Sequence, residues 1–469
     1  MNLLQKLTLI LLLLFVFLLV YSPHFSYKYP LHVDEYHHIA KAINFVENKE
    51  LNIVPNYQHQ PYSPNLEPGF TIFLSLLAFA KLDLILFYKF LPAIFAALAA
   101  FILFHLMHYI TKNFYLSISS IIFFASLKSN INLHGLWFFT PLTLAIPLVF
   151  LFILLFLKAL DAKKSKLLAL SILILLVIFT IHPISALLLY ILVFLYLLIK
   201  QDFKKRILFL IILPPIIFFM LFFLLKDSSD PMINMIIDWI ILEEGWGYVE
   251  VKYFLPTLYN VVPFILAIVG SYPAIKNQKS RIFVIWSLLT IFFIFIFNNY
   301  QFSLIFPYQR VLYYSLLSLV PLSALGLFFI LSYIKKYKAM VPVFLILIGI
   351  FTFYNYYDLP KQSQLYHVLD DNDYNALMFL KQSPPEMILA PLPQSAAVYP
   401  VSRHYVIGMT QANILGGEKE KVKEFYDGDC ETKQNILKSY PIGYVLSKNK
   451  LECNFLKEVY DEGDYIYEA

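Results

Sequence analysis

Long apolar runs separated by short basic loops make up most of the chain. The strongly basic loops are "DAKKSK", "KQDFKKR", "KNQKSR" and "KKYK", at 161–166, 200–206, 276–281 and 335–338. Loops on the cytoplasmic side of membrane proteins carry an excess of Lys and Arg. Placing all of these loops in the cytoplasm predicts spans of alternating direction at 3–21, 88–110, 114–127, 140–158, 167–181, 184–200, 207–225, 257–275, 282–297, 311–334 and 340–357.

The apolar stretch 70–82 is too short for a span. A helix of that length extends about 20 Å, whereas the hydrocarbon core is about 30 Å thick. We therefore predict an interfacial or re-entrant helix there, and about 11 spans in total, or up to about 13 if this region is counted differently. The run 3–21 is interpreted as an uncleaved span with a cytoplasmic N-terminus, because no small-residue cleavage site of a signal peptide follows it.

The last part of the chain, 359–469, is polar and alternates helical patterns with short apolar strands. The helical patterns lie at 374–383, 418–426 and 432–440, and the strand patterns at 386–391, 404–409, 443–447 and 465–469. This alternation predicts a small α/β domain, which the count of spans places outside the cytoplasm. The predicted fold class is a polytopic α-helical membrane domain at 1–358 followed by an extracytoplasmic α/β domain at 359–469. Cys430 and Cys453 both lie in that domain, where a disulfide and two free thiols are equally compatible with the sequence.

Composition excludes several classes of function. The chain is 59% hydrophobic and 14% charged, which no soluble domain could bury. The net charge of +5 comes mainly from the basic loops, and no basic patch interleaved with aromatic residues indicates a nucleic-acid partner. No glycine-rich nucleotide loop is present, which argues against a cytoplasmic enzyme that uses nucleotide sugars.

An acidic and histidine-rich cluster follows the first span, within the first external loop at 22–69. The stretch "YPLHVDEYHHIAKAINFVE" predicts an amphipathic helix from Asp34 to about Asn48. Its polar face carries Asp34, His37, His38 and Lys41. In one interpretation, Asp34 is only an N-cap, Glu35 is a first-turn residue favoured by the helix dipole, and the histidines form a solvated face.

A second acidic stretch, Glu67-Pro68-Gly69-Phe70, begins the next apolar segment. Together with Asp34-Glu35 after span one, this pattern resembles the GT-C superfamily of integral-membrane glycosyltransferases. That superfamily includes protein O-mannosyltransferases, aminoarabinose lipid A transferases and oligosaccharyltransferase catalytic subunits. The resemblance implies transfer of a sugar from a polyprenyl-phosphate carrier to a lipid, glycan or protein acceptor on the outer face of a prokaryotic cell membrane. It also implies that Asp34, with Glu35 beside it, serves as catalytic base or as ligand of a divalent cation, Mg²⁺ or Mn²⁺.

Cationic groups are needed for the leaving phosphate in such a reaction. Arg310 is the strongest candidate, because it lies at the outer end of the 311–334 span, where the inside bias disfavours a basic residue. His182, at an outer hairpin tip, His134, in an outer loop, and Glu67 are further candidates for substrate binding. Each has an ordinary alternative as a headgroup-facing or turn residue. The external loop 226–256 predicts an interfacial helix and carries Glu243 and Glu244 as weaker candidates.

Two features depart from the resemblance. The outer loop 128–139 has no carboxylate, and the tail lacks the Trp-Trp-Asp-Tyr-Gly motif of oligosaccharyltransferases. Two other classes of function stay open. One is a transporter or flippase of lipid-linked saccharides, although the span centres carry almost no charge. The other is a membrane scaffold without catalysis that binds a partner through the α/β domain.

Overall fold

The computed structural model describes residues 2–51, 65–129, 133–200, 241–242, 255–300, 303–304, 306–333, 343, 347, 366–409 and 418–469. The predicted spans 207–225 and 340–357 lie outside these residues, apart from positions 343 and 347. Most of the predicted loop 226–256, including Glu243 and Glu244, also lies outside them.

Helices account for most of the described chain before residue 335. They are α1 (Leu3–Tyr21), α2 (Val33–Asn48), α3 (Pro68–Phe79), α4 (Leu84–Phe87), α5 (Leu91–Thr111), α6 (Phe114–Ala125), α7 (Pro141–Ala162), α8 (Ser165–Ile181), α9 (Pro183–Lys200), α10 (Leu255–Tyr259), α11 (Val261–Lys276), α12 (Arg281–Tyr300) and α13 (Tyr308–Leu331). Short 3₁₀ turns follow α1 and α4, and the short strands β1 (Ile241–Leu242) and β2 (Ser303–Leu304) pair antiparallel.

Six helical segments within the described residues are long and apolar enough to cross a membrane. They are Leu3–Phe25, Leu84–Thr111, Pro141–Ala162, Pro183–Lys200, Arg281–Tyr300 and Tyr308–Leu331. Shorter apolar helices are α3, α6, α8 and α11. The protein is therefore a membrane protein with many helical segments, as its hydropathy pattern predicts.

The sequence begins several of these helices with residues suited to the position. The side chain of Asn113 accepts hydrogen bonds from the backbone N–H groups of Tyr115 and Leu116 and so caps α6. Proline opens α3, α7 and α9, where its missing N–H has no intrahelical partner to lose. The helix predicted at 70–82 is α3, which is 12 residues long.

The described chain divides into two compact units, which we describe separately. The first unit comprises 1–20, 93–137 and 141–359. Within it, α11 and α13 cross at two glycines. A Cβ atom on Gly270 would come within 1.9 Å of the Leu322 carbonyl oxygen, and one on Gly326 within 1.8 Å of the Leu266 carbonyl oxygen. Only glycine at both positions allows the two backbones to approach this closely.

The second unit comprises 21–92, 138–140 and 360–469. Its N-terminal segment and its tail share several contacts. Tyr29 donates a hydrogen bond to Asp371 Oδ1 (2.9 Å), and Lys28 pairs with the same carboxylate (2.9 Å). Further along, the backbone N–H of His367 donates to the carbonyl of Leu31 (3.0 Å). The predicted domain boundary at 358/359 stays a prediction.

The tail is an α/β structure, which confirms the predicted fold class. Its elements are α14 (Asp371–Leu380), β3 (Met387–Leu389), α15 (Leu392–Ser402), β4 (Tyr405–Val406), α16 (Lys419–Asp427), α17 (Cys430–Ser439), β5 (Ile442–Ser447), β6 (Lys457–Tyr460) and β7 (Tyr465–Glu468). The strands form one sheet in the order β4-β3-β5-β7-β6. β3 runs parallel to β4 and β5, and β7 runs antiparallel to β5 and β6, with Val445 opposite Tyr467.

The sheet of the tail has a buried apolar side, packed against α16 and α17. Phe425, Ile436, Val445 and Tyr467 belong to this core, and burial of apolar area of this kind is the main stabilising contribution for a small domain. Cys430 and Cys453 form a disulfide with a Cα–Cα distance of 5.6 Å. Of the two alternatives that the sequence left open for these cysteines, the structure therefore has the disulfide.

Candidate active site

Helix α2 begins with a capping box built on a histidine. His32 is the N-cap residue, and its Nδ1 accepts a hydrogen bond from the backbone N–H of Asp34 (3.1 Å). In return, Glu35 Oε2 accepts from the backbone N–H groups of Leu31 (2.7 Å) and His32 (3.0 Å). The alternative in which Asp34 is the N-cap is therefore wrong: the helix begins at Val33, and His32 is its N-cap.

Glu35 is buried, at 1% exposure, and is bound entirely by backbone donors in the contacts described. Besides the two N–H groups before the helix, its Oε1 accepts from the backbone N–H of Phe139 (2.7 Å), whose carbonyl accepts from the hydroxyl of Tyr88 (2.6 Å). Burial raises the pKa of Glu35 to about 8, against the three N–H groups, which favour the ionised form. This carboxyl group therefore fixes the start of α2 to the 138–140 segment of the same unit.

Asp34 is more open than its neighbour. Its side chain is 29% exposed, and its Oδ2 lies 3.7 Å from His32 Nδ1. Two helical turns further, Lys41 is half-buried. Burial lowers the pKa of Lys41, while the charges of Glu67 and Asp34 act in the opposite direction. Asp34 on α2 and Glu67 at the start of α3 therefore both act on one ammonium group.

The histidines of α2 do not form the solvated face that one interpretation predicts. His37 is buried, and burial holds its pKa well below the usual value. Its Nδ1 has no hydrogen-bond partner among the described residues. His38 is half-buried, with its ring 4.8 Å from the ring of Phe70 in an edge contact.

Arg310 lies in the first turn of α13, in the first unit. Its Nη2 lies 3.4 Å from Nδ1 of His134, which acts as the acceptor because a guanidinium can only donate. Its Nη1 is buried and has no hydrogen-bond partner among the described residues. The structure therefore brings two predicted phosphate-binding residues together and leaves the guanidinium with donor capacity.

The position of His134 depends on its loop. His134 has a left-handed backbone (φ 44°), which is uncommon for a residue with a side chain. It is followed by Gly135, where a Cβ atom would come within 2.2 Å of Ser129 Oγ. The same hydroxyl accepts from the backbone N–H of Trp137 (3.2 Å). These contacts make the loop too tight for any residue other than glycine at 135.

His182 lies at the tip between α8 and α9 and is buried. Its Nδ1 contacts Ser185 Oγ (2.7 Å) and the hydroxyl of Tyr314 (3.1 Å), and it accepts from the backbone N–H of Ser185 (3.3 Å). Ser185 Oγ also contacts the Tyr314 hydroxyl. Because a backbone N–H can only donate, Nδ1 is an acceptor, and the proton of the neutral ring is on Nε2. Tyr314 follows Arg310 by one turn of α13, which connects His182 to the same helix.

Solved structures of the Archaeoglobus fulgidus oligosaccharyltransferase are similar to this chain. The apo form matches with a TM-score of 0.61 and 12% sequence identity, over 95% of this chain and 69% of that one. The form tethered by a disulfide to an acceptor peptide with the NVT sequon matches with a TM-score of 0.57 and 12% identity, with the same coverage. The complex with Zn and sulfate gives 0.59 and 12% identity, over 94% of this chain and 68% of that one. The chain has the GT-C fold.

This likeness confirms the fold that the resemblance in the first external loop implies. At 12% identity the likeness is one of fold. No family model matches the sequence, and no curated protein matches it either. The roles of Asp34, Glu35, Glu67, His134, His182 and Arg310, and their convergence on one cavity, therefore stay predictions.

A further group of carboxylates, which the sequence analysis does not identify, lies in the tail. Ligand oxygens of Asp370, Asp373 and Asp464 lie within 4.8 Å of one another. Lys448 Nζ lies 2.7 Å from Asp370 Oδ2, 2.7 Å from Asp373 Oδ1 and 3.7 Å from Asp464 Oδ1. The repeated acids in "DDND" and "DEGD" were the available signal. A lysine thus already provides the positive charge in this group.

Proposed function

We propose that the protein is a membrane glycosyltransferase. It moves a sugar from a polyprenyl-phosphate carrier to a lipid, glycan or protein acceptor on the outer face of the cell membrane. The observation that carries this proposal is the GT-C fold, which extends over 95% of the chain in the match with an oligosaccharyltransferase. That enzyme has been captured with a tethered acceptor peptide, and a peptide acceptor is accordingly one of the acceptor classes that we propose here.

Asp34 is the proposed general base. The acceptor must lose a proton as its oxygen or nitrogen attacks the anomeric carbon, and a carboxylate within hydrogen-bond reach can take that proton. The 29% exposure of the Asp34 side chain supports this role, because a substrate can reach it. Glu35 is instead a positioning residue, since its carboxyl oxygens accept three backbone N–H groups.

Arg310 is the proposed ligand of the leaving phosphate. A guanidinium forms strong, directed hydrogen bonds to phosphate oxygens, and the buried, unpartnered Nη1 of Arg310 supports this role. The other terminal nitrogen of the guanidinium, Nη2, donates a hydrogen bond to His134 Nδ1. His182, with its proton on Nε2, donates to a phosphate or sugar oxygen, and Glu67 completes the substrate-binding set.

A divalent cation, Mg²⁺ or Mn²⁺, fits the residues around Asp34. Both ions prefer oxygen ligands. At the start of α2, ligand atoms of His32 and Asp34 lie within 4.8 Å of one another. Asp34 would hold such a metal, and the ion would supply Lewis-acid stabilisation of the phosphate charge.

The proposed orientation follows the basic loops. Cytoplasmic placement of 161–166, 200–206, 276–281 and 335–338 gives a cytoplasmic N-terminus and an extracytoplasmic tail. The first external loop, with Asp34 and Glu67, then lies on the outer side, where a lipid-linked sugar can serve as donor and soluble nucleotide sugars are absent.

Substitution of Asp34 tests the proposal directly. Membranes that contain the protein are incubated with polyprenyl phosphate that carries a radiolabelled sugar, and loss of label from the carrier is followed with time. Asp34→Asn keeps the size of the side chain but removes the base, and we expect the rate to fall by about 10²- to 10⁴-fold. Glu50→Gln is the matched control, because Glu50 is an exposed carboxylate just after the same helix.

The alternatives give different results in the same assay. A transporter moves the labelled carrier between leaflets but leaves the sugar on it, and a scaffold leaves both carrier and sugar unchanged. Either result with the wild-type protein overturns the proposal. A wild-type rate in the correctly inserted Asp34→Asn variant removes Asp34 as the base.

A further inference from the structure

A cavity of about 450 Å³ lies at the C-terminal ends of α5 and α7, within the first unit. One part of its wall is apolar, and another part is polar and cationic. Phe101 and Leu151 contribute to an apolar wall, whereas His105, His108, Lys112 and Lys158 contribute polar and cationic groups. Phe101 is 39% exposed, so the apolar wall continues onto the outer surface of the helix pair.

The positive charge of this cavity gathers around one aromatic ring. The ammonium groups of Lys279, Lys112 and Lys158 lie 4.5, 5.0 and 5.5 Å from the centre of the Tyr109 ring. Cation–π contacts at these distances are attractive, but only weakly so at exposed sites. Three ammonium groups therefore lie around a single aromatic ring.

A single ion pair removes only part of this charge. Asp161 accepts a hydrogen bond from the Tyr109 hydroxyl and pairs with Lys279 at 2.5 Å. Lys112 and Lys158 form no ion pair among the described residues. His108 Nδ1 is also buried and has no hydrogen-bond partner among them. The cavity therefore presents two uncompensated ammonium groups beside an apolar wall.

We propose that this cavity binds one anionic phospholipid of the bilayer. The lipid phosphate pairs with Lys112 and Lys158, and an acyl chain lies along Phe101 and Leu151. A free anion would leave the apolar wall exposed, and a neutral lipid would leave both lysines unpaired, so a ligand with both characters fits best. The site lies next to the basic loops 161–166 and 276–281, which are cytoplasmic by the positive-inside rule.

The inference does not depend on the proposed transfer reaction. Its site uses neither Asp34 nor Arg310. The occupant is a structural lipid of the cytoplasmic leaflet, not the sugar carrier.

Native mass spectrometry of the full-length protein in detergent tests the proposal. Dioleoyl phosphatidylglycerol is titrated against dioleoyl phosphatidylcholine, and the bound fraction is measured for the first lipid adduct. We expect a preference for phosphatidylglycerol that falls roughly 30-fold in the double variant Lys112→Gln, Lys158→Gln, because two lysines near an anionic lipid are lost. The charge-retaining variant Lys112→Arg, Lys158→Arg should keep the preference.

The matched control changes the same amount of charge outside the cavity. Lys164 and Lys166 are exposed residues at the start of α8, and Lys164→Gln with Lys166→Gln should leave the first adduct unchanged. An equal loss in both double variants would mean that only the general charge of this face attracts the lipid, which overturns the site. Displacement of the lipid by inorganic phosphate alone would overturn the role of the apolar wall.

Discussion

At the start of α2, the polar side chains accept hydrogen bonds from backbone N–H groups. At the start of α13, Arg310 is instead in contact with another side chain. Glu35 accepts three backbone hydrogen bonds, and His32 accepts a fourth from Asp34. Arg310 instead contacts the ring of His134 through Nη2, and its buried Nη1 has no hydrogen-bond partner among the described residues. The side chains of the first region have backbone partners, while Arg310 in the second keeps hydrogen-bonding capacity for an anion.

Of the substitutions in these two regions, removal of the Arg310 guanidinium should have the largest effect on the transfer rate. In the labelled-carrier assay, Arg310→Gln should lower the rate at limiting donor concentration by about 10²-fold, because a charge-assisted contact to phosphate is lost. Arg310→Lys should recover part of the rate, since it restores charge without the bidentate geometry. Equal rates for wild type and Arg310→Gln would assign the phosphate to another residue.

Glu35→Gln should act on stability at the start of α2. The amide NH₂ cannot accept a hydrogen bond, so at least one buried N–H loses its partner. We expect a loss of about 1–3 kcal/mol in the free energy of unfolding, measured by thermal unfolding in detergent. Glu50→Gln again serves as the control, because its carboxylate is exposed.

The raised pKa of Glu35 also predicts how the free energy of unfolding changes with pH. The pKa of Glu35 rises from 4.5 to about 8 on folding, so the folded protein keeps a proton that the unfolded chain loses between those values. The free energy of unfolding should therefore fall as the pH rises from about 4.5 to about 8. Glu35→Gln should lack this contribution, and a wild-type slope in the variant would rule out Glu35 as its source.

Tyr314→Phe should give the smallest effect, in the region held by side chains. The substitution removes the hydroxyl that contacts His182 and Ser185 but keeps the ring. These two residues still contact each other, so we expect a loss of about 1 kcal/mol in stability and a modest loss of activity. A loss as large as that of Glu35→Gln would remove the distinction between the two regions.

Hydropathy and charge predict the helices well. The spans predicted at 140–158 and 184–200 correspond to Pro141–Ala162 and Pro183–Lys200. Helix α15 (Leu392–Ser402) has no predicted counterpart, because Pro393 and Pro400 conceal it. Strand β6 (Lys457–Tyr460) was also missed, since an edge strand with two charged residues lacks an apolar pattern.

The candidate site was predictable only in its residue types. The sequence identifies Asp34 and Glu35 as adjacent acids, but their different environments depend on Phe139, which lies 104 positions further along the chain. The contact between Arg310 and His134 joins residues 176 positions apart. No local pattern reports such a contact, because it is made by tertiary packing.

The glycine crossing of α11 and α13 has a consequence for the aim of Arg310. Gly326 lies 16 residues beyond Arg310 on the same helix, a distance of roughly 24 Å along the axis. With backbone touching backbone there, α13 cannot turn about its long axis without lifting away from its neighbour. The close contact at Gly270 and Gly326, several turns away, thus limits the directions in which the guanidinium can point. Substitution of either glycine can therefore change that direction, although both are remote from any substrate.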